Sequence, residues 1–383
     1  MRGRNCGIAG RAGLGVAAVV LLGAAGAGTP ASAASTAATA SAGHRCGCAP
    51  RTVYVANAFS GTVTPISTRT NTAGPPIPVG EDPEDIAITP NGRTAYAVNQ
   101  GSDTVTPIST RTNTPGPPIP VGAGPIAIAI TPNGRTAYVA NLVSDTVTPI
   151  STRTDTPGPP IPVGTSPGSI AITPNGRTAY VVNLSSDTVT PISTRTNRPG
   201  PPIPVGAGPG PIAITPNGRT VYVADGPGTV TPISTRTHKA GPPIPVGNQP
   251  AEIAITPDGR TAYVVNLNSG TVTPISTRTN TAGPPIPVGE DPEEIAITPD
   301  GRTAYVTNFG SDTVTPISTR THRAGPPIPV GTSPGSIAIT PDGRTAYAVN
   351  FTSGTVTPIS TRTRRAGPPI PVGSGPWAIA ITP

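Results

Sequence analysis

Residues 170–206 read I-A-I-T-P-N-G-R-T-A-Y-V-V-N-L-S-S-D-T-V-T-P-I-S-T-R-T-N-R-P-G-P-P-I-P-V-G, and close copies of this unit follow one another along the chain. One tyrosine marks each of eight copies, at intervals of 42 residues with a single interval of 41: Tyr54, Tyr96, Tyr138, Tyr180, Tyr222, Tyr263, Tyr305 and Tyr347. A fixed period of this kind is typical of repeat proteins, in which every unit packs only against its neighbours. Gly (46) and Pro (55) exceed a quarter of the 383 residues, which without a period would indicate disorder. Because the glycines and prolines recur with the period, they indicate ordered structure and not disorder.

The unit contains four extended segments: I-A-I-T (strand A), T-A-Y-V-V-N (strand B), D-T-V-T-P-I-S-T (strand C) and P-I-P-V (strand D). Asn-Gly or Asp-Gly between A and B predicts a hairpin with a two-residue type I′ turn. Helices are not expected, because no 3.6-residue periodicity occurs and proline recurs too often. Four short antiparallel strands per repeat predict the blade of a β-propeller.

The two ends of the array predict a closed ring. The repeats occupy residues 51–383, beginning in strand B and ending in strand A, so the last strand can complete the first blade. Closure removes the exposed edges that a linear stack would leave. We therefore predict an all-β, eight-bladed propeller with four antiparallel strands per repeat.

The motif Y-V-x-N, followed by G-T-V-T or D-T-V-T, I-P-V-G and I-A-I-T-P-D-G-R, resembles the YVTN-repeat β-propeller family over residues 51–383. The resemblance implies a propeller that is commonly extracellular or associated with the cell envelope, often without known catalysis. Members often have seven blades, which leaves seven as the alternative count.

A proline in every strand C departs from that family: Pro65, Pro107, Pro149, Pro191, Pro232, Pro274, Pro316 and Pro358. Proline removes a donor from the hydrogen-bond ladder of an interior strand. We predict that the side without the N–H faces strand D, which is also rich in proline. Strand D would then be a loosely held outer edge.

The N-terminus predicts a secretory signal peptide over residues 1–33, with Arg2, Arg4 and Arg11, an apolar stretch at 12–28 and an A-x-A cleavage site at 31–33. An uncleaved anchor is the alternative. We expect a secreted or cell-wall-associated protein with no membrane span after cleavage. A linker rich in Ala, Ser and Thr fills residues 34–50, where Cys46 and Cys48 can form a local or an intermolecular disulfide.

Alternating strand direction sorts the charges onto two faces. The A–B and C–D turns share one face, on which the repeats place 21 basic residues against four acidic ones. The other 14 acidic residues fall on the opposite face. The basic set includes the arginine of each Ser-Thr-Arg-Thr turn: Arg69, Arg111, Arg153, Arg195, Arg236, Arg278, Arg320 and Arg362.

The basic face predicts docking of a protein or an anionic cell-envelope polymer. The alternative is that these arginines only cap carbonyls and solvate a proline-rich surface. No aromatic residues interleave the arginines, which disfavours nucleic acid as the partner. We expect the protein to be a monomer.

The loop from D to A varies most between repeats and rims the upper mouth of the central channel. We take Glu84, Asp85, Glu293, Glu294 and Trp377 as ligand-binding candidates there. An aromatic ring between carboxylates suits a cationic or sugar ligand. Weaker candidates for Ca²⁺ binding follow from the same two loops: Glu81, Asp82, Glu290 and Asp291. Ordinary loop variation is the alternative.

No catalytic arrangement can be read from the chain. His238 and His322 lie in C–D loops two units apart, and no Ser-His-Asp or Cys-His pattern occurs. We therefore expect a binding module without catalytic residues and without a cofactor other than a possible Ca²⁺. A Ca²⁺-dependent hydrolase such as a lactonase, using the acidic mouth, and a purely structural or adhesive surface protein are the alternatives.

Overall fold

The structure, a computed structural model, describes residues 51–383, which form eight antiparallel β-sheets arranged as the blades of a propeller. Blade 1 contains the first B, C and D strands and the last A strand, and blades 2 to 8 follow in chain order. The prediction of an all-β, eight-bladed propeller is confirmed. The predicted signal peptide, linker and cysteine pair lie outside the described residues.

Strands A, B and C each span six residues and alternate in direction. Strands A of blades 2 to 8 and then blade 1 are Pro83–Ile88, Pro125–Ile130, Pro167–Ile172, Pro209–Ile214, Pro250–Ile255, Pro292–Ile297, Pro334–Ile339 and Pro376–Ile381. Strands B of blades 1 to 8 are Thr52–Asn57, Thr94–Asn99, Thr136–Asn141, Thr178–Asn183, Thr220–Asp225, Thr261–Asn266, Thr303–Asn308 and Thr345–Asn350. Strands C are Thr62–Ser67, Thr104–Ser109, Thr146–Ser151, Thr188–Ser193, Thr229–Ser234, Thr271–Ser276, Thr313–Ser318 and Thr355–Ser360.

Strand D is divided into two short segments, both paired with strand C. In blades 1 to 8 they are Thr72–Ala73 with Ile77–Pro78, Thr114–Pro115 with Ile119–Pro120, Thr156–Pro157 with Ile161–Pro162, Arg198–Pro199 with Ile203–Pro204, Lys239–Ala240 with Ile244–Pro245, Thr281–Ala282 with Ile286–Pro287, Arg323–Ala324 with Ile328–Pro329, and Arg365–Ala366 with Ile370–Pro371. Two 3₁₀ turns, Ala58–Ser60 and Leu267–Ser269, complete the described elements. No helix within residues 51–383 is long and apolar enough to cross a membrane.

The strand C prolines face strand D, as predicted. Gly116 N donates to Pro107 O over 2.7 Å, and the same bond from strand D recurs in all eight blades. In an extended strand the N and the C=O of one residue lie on the same side. The missing N–H of Pro107 therefore points outward, and the ladder to strand B is complete. The proline interrupts only the outer edge, which is where strand D breaks.

The predicted type I′ turn between A and B is wrong. Thr89 and Thr94 close a four-residue loop, in which Gly92 N donates to Thr89 O over 2.7 Å. A type I′ turn needs a positive φ at both central residues. Here Gly92 has a φ of +69°, whereas Asn91 does not take a positive φ. Asn91 instead accepts hydrogen bonds through Oδ1 from Thr89 Oγ1 and Arg93 N, so the side chain stabilises the loop.

The ring closes between the two ends of the array. Strand A of blade 1 pairs with the first strand B, with Val53 opposite Ile381 and Tyr54 opposite Ala380. Thr52 N donates to Thr382 Oγ1 over 2.9 Å at the end of the same ladder. The predicted completion of the first blade by the C-terminal strand is confirmed.

A tyrosine hydroxyl links each blade to the next. All eight rings are fully buried, and Tyr54 Oη donates to Asn113 Oδ1 of blade 2 over 2.6 Å. The residue at the position of Asn113 lies in the C–D turn with a positive φ in every blade: Asn71, Asn113, Asp155, Asn197, His238, Asn280, His322 and Arg364. Seven of these eight bind the hydroxyl of the preceding blade. The tyrosines therefore join the blades by packing and by hydrogen bonds.

Candidate functional site

The turns and loops occupy two distinct faces of the ring. The end of strand C meets the A–B turn, where Thr110 N donates to Arg93 O over 3.0 Å. At the opposite end the B–C loop meets the D–A loop, where Gln100 N donates to Asp82 O over 2.9 Å. We call the first the basic face and the second the loop face. The predicted division of turns between two faces agrees with these contacts.

The basic face carries the arginines of both turns in the solvent. The eight Ser-Thr-Arg-Thr arginines are exposed, as are those of the A–B turns of blades 2 to 8: Arg93, Arg135, Arg177, Arg219, Arg260, Arg302 and Arg344. Arg51 is half-buried. Five further cations in the C–D loops are exposed too: Arg198, Lys239, Arg323, Arg364 and Arg365.

The four acidic residues of this face are engaged locally. Asp258, Asp300 and Asp342 each accept a threonine hydroxyl and the backbone N–H of the arginine two positions later. Partial burial raises their carboxyl pKa values, but these hydrogen bonds outweigh it, so the pKa values are lowered. Asp155 accepts the hydroxyl of Tyr96 over 2.6 Å. Only three arginines form an ion pair in the described chain, and their N to O distances are 3.8, 3.8 and 3.9 Å. Exposed pairs of this length contribute little, so most of the positive charge stays available.

On the loop face, Asp85 and Glu294 are structural links between blades. Asp85 Oδ2 accepts Ile128 N of blade 3 over 2.9 Å, and Glu294 Oε2 accepts Ile337 N of blade 8 over 3.0 Å. Their exposed fractions are 2% and 6%. Burial raises the pKa of Asp85 to about 7 and that of Glu294 to about 8, although the backbone amides oppose the shift. Both are thus withdrawn from solvent.

Glu84 and Glu293 lie beside these two residues and are half-buried. Burial raises the pKa of each to about 7, and repulsion from Asp82 and Asp291, respectively, adds to the shift. The charge of Asp85 also contributes to raising the pKa of Glu294. Four carboxyl groups at the channel mouth are therefore partly protonated near neutral pH.

The weaker Ca²⁺ candidates belong to the same loops but form no cluster of ligands. Glu81, Glu290 and Asp291 are exposed, and Asp82 is half-buried with a positive φ of 53°. No group of three or more His, Cys, Asp or Glu residues within 51–383 is arranged to hold a metal ion. The Ca²⁺ site stays a sequence-based hypothesis.

Trp377 is part of an aromatic cluster that sequence reasoning missed. Its ring meets Phe351 edge-on with centroids 5.5 Å apart, and Phe351 meets Phe59 in the same way at 5.4 Å. Trp377 Nε1 is enclosed and has no hydrogen-bond partner in the described chain, whereas Phe59 is 71% exposed. Phe59 follows strand B of blade 1, and Phe351 follows strand B of blade 8. Because ring closure makes these two blades neighbours, the positions of the two residues in the repeat could have indicated the cluster.

A second missed set is the aspartates at the start of strand C. Asp103, Asp145, Asp187 and Asp312 each accept, over 2.8 Å, a backbone N–H from the following D–A loop. The asparagines that end strand B act similarly, and Asn57 Nδ2 donates to Thr62 Oγ1 and Thr64 Oγ1. These polar groups stabilise the loops.

No protein-family profile matches this chain, and no curated protein sequence matches it. Among solved structures, dihydro-heme d1 dehydrogenase NirN aligns at a TM-score of 0.76 and 15% identity, over 90% of this chain and 78% of NirN. AztD from Citrobacter koseri aligns at 0.68 and 11%, over 87% and 97%. Hydrazine synthase from Kuenenia stuttgartiensis aligns at 0.61 and 24%, over 73% and 95%. At these identities the likeness establishes the propeller fold alone.

Proposed function

We propose that this protein is a secreted or cell-surface binding module whose basic face docks an anionic cell-envelope polymer or protein. The proposal rests on the exposure and the pairing of the charged side chains on the basic face. The basic face presents 20 exposed cations and one half-buried arginine, and its four acidic residues are engaged in local bonds. An array of unpaired guanidinium groups attracts polyanions by releasing their counterions.

The resemblance to YVTN-repeat propellers supports the same proposal, since that family is commonly found outside the cell. The assignment to the family is itself part of the proposal, as are the absence of catalysis and the monomeric state. Two of the three structural neighbours are named as enzymes, a dehydrogenase and a synthase. Their likeness extends to the fold and carries no chemistry to these residues.

The test measures binding of the chain to heparin, a polyanion without nucleobases, over a series of salt concentrations. We expect the logarithm of the binding constant to fall linearly with the logarithm of salt concentration. Replacing the eight Ser-Thr-Arg-Thr arginines by glutamine should weaken binding at low salt by about 100-fold or more. The matched control replaces Glu81, Asp103, Asp187 and Glu290 on the loop face by their amides and should not weaken binding. Binding that is absent or independent of salt would contradict the proposal.

A second candidate is a cationic or sugar ligand at the channel mouth. The aromatic cluster of Trp377, Phe351 and Phe59 favours it, because an aromatic face can stack against a cation or a sugar ring. The test is quenching of the fluorescence of Trp377, the single tryptophan of the chain, by a panel of quaternary amines and neutral sugars. An unchanged spectrum with every compound would remove this candidate.

A further inference from the structure

The seam between blades 7 and 8 differs from the other seven seams at one position. At each of the others, the C–D turn offers Asn, Asp or His to the tyrosine hydroxyl of the preceding blade. Blade 8 has Arg364 there, and a guanidinium cannot accept a hydrogen bond. Tyr305 Oη keeps the bond to the backbone oxygen of Thr361, over 3.2 Å, which five other seams make in addition to the bond with the turn side chain.

Arg364 is also unfavourable for the backbone conformation of this turn. The position has a positive φ in every blade, and it is 56° at Arg364. Asn and Asp tolerate this region best because their short side chains bond locally, whereas arginine has no such compensation. Local rules broken without a stabilising contact are typical of functional positions.

The side chain of Arg364 reaches across the seam. A Cβ atom placed on Gly325 of blade 7 would lie 3.1 Å from Nη1 of Arg364, so the guanidinium packs against that glycine. A groove of about 540 Å³ opens beside it, lined by Pro326, Pro327, Ile328 and Pro329 of blade 7 and by Thr363, Arg364, Arg365 and Ala366 of blade 8. No acidic residue lines the groove, and neither arginine forms an ion pair with the part of the chain that the structure describes.

The apolar wall of the groove does not distinguish this seam. The sequence Ala-Gly-Pro-Pro-Ile-Pro occurs at 73–78, 240–245, 282–287, 324–329 and 366–371, whereas the adjacent pair of arginines at the turn occurs once. The paired arginines therefore create a single site on an otherwise eightfold surface. Guanidinium groups bind carboxylate, sulfate and phosphate oxygens through paired hydrogen bonds.

We propose that this seam groove is the anchoring subsite of the polyanion, and that it holds one acidic group of an anionic polysaccharide between Arg364 and Arg365. The proposal rests on the proposed function and locates its strongest contact. A sugar polymer is favoured over nucleic acid because the walls are proline and isoleucine, with no aromatic ring on which a base could stack.

The test compares two single variants of the full chain by calorimetric titration with a heparin hexasaccharide. Arg364→Asn restores the residue that blades 1, 2, 4 and 6 carry, so we expect it to fold at least as stably as the wild type. It should lower affinity at least tenfold. Arg362→Asn, in the same turn but outside the groove, removes the same charge and should lower affinity less than threefold.

Stoichiometry gives an independent readout. We expect one hexasaccharide per wild-type chain, whereas binding by the repeated arginines alone would approach eight. Equal losses in the two variants, or a stoichiometry near eight, would overturn the groove proposal while leaving docking on the basic face intact. If long heparin also fails to bind the wild type at low salt, the proposed function itself fails. Tighter binding of a single-stranded oligonucleotide of equal charge would overturn the choice of polysaccharide.

Discussion

The two faces of the propeller use their charged side chains in opposite ways. On the basic face most guanidinium groups extend into solvent without a partner. On the loop face several carboxylates instead bind backbone N–H groups. Asp85 accepts Ile128 N of the next blade, and Asp145 accepts Ser166 N of the following D–A loop. A count of charges makes the faces look like opposite halves of a dipole. The contacts instead show that the basic face keeps most of its charges available for binding, whereas the loop face uses many of its carboxylates to stabilise the fold.

The largest effect that tests this contrast is the response of stability to pH. Burial raises the pKa values of Glu84, Asp85, Glu293 and Glu294 to about 7, 7, 7 and 8. A carboxyl with a raised folded pKa binds its proton more tightly when folded, so stability is greatest at low pH and falls as pH rises through the folded value.

We therefore expect the free energy of unfolding to decrease from about pH 5 to pH 8, by on the order of a few kcal/mol. Chemical denaturation at several pH values measures this change. Glu293→Gln should flatten the profile, whereas Arg111→Gln on the basic face should leave its shape unchanged. A stability that rises over this range would refute the buried state of the mouth carboxyls.

The next effect concerns one inter-blade link. Asp85→Ala should lower the free energy of unfolding by about 2 kcal/mol at pH 6, because it leaves the amides of Ile86 and Ile128 without their acceptor. Asp85→Asn keeps an acceptor and should cost less. Urea denaturation compares the two variants, provided that the unfolding free energy depends equally steeply on urea concentration in both. Equal stabilities of Asp85→Ala and the wild type would show that the link contributes nothing.

A smaller effect is expected for the aspartates at the start of strand C. Asp145→Ala removes the acceptor of Ser166 N and should cost about 1 kcal/mol. The matched control is Arg153→Ala in the same blade but on the other face. If both substitutions cost the same, the proposed difference between the faces is not real.

The smallest effect on stability is expected for the exposed arginines of the basic face. Arg153→Gln and Arg320→Gln remove exposed cations without an ion pair in the described chain, so each should change stability by less than about 0.5 kcal/mol. The same variants should weaken heparin binding measurably. A destabilisation above 1 kcal/mol would favour the alternative in which these arginines serve only to cap and solvate the turns.

The sequence predicted most of the fold because each prediction rested on a local rule repeated eight times. The tyrosine period, the alternation of strands and the outward side of Pro107 all followed from such rules. The A–B turn failed because Asn-Gly was read as a two-residue loop, whereas Asn91 forms a longer loop through its side chain. The length of a hairpin loop depends on which residues pair across it, and the Asn-Gly pair alone does not determine that register.

The candidate sites depended on contacts between blades, and these were harder to predict. The sequence placed Asp85 and Glu294 at the channel mouth but did not reveal that each binds an amide of the next blade. The contact between Phe59 and Phe351 joins residues almost 300 positions apart. In the sequence, Arg364 did not differ from the other basic residues. Only the structure shows that the residue at its position in the other blades binds a tyrosine hydroxyl.

The closing ladder between strands 52–57 and 376–381 has a consequence for synthesis. Thr52 and its partner Thr382 are separated by 330 residues, so the ribosome makes the first strand B long before its inner neighbour. At typical elongation rates of about 5–20 residues per second, this interval lasts about 16 to 66 seconds. During that time an unpaired strand edge is exposed beside seven other strands B of nearly the same sequence. A chaperone that covers this edge would therefore aid the nascent chain before the ring can close.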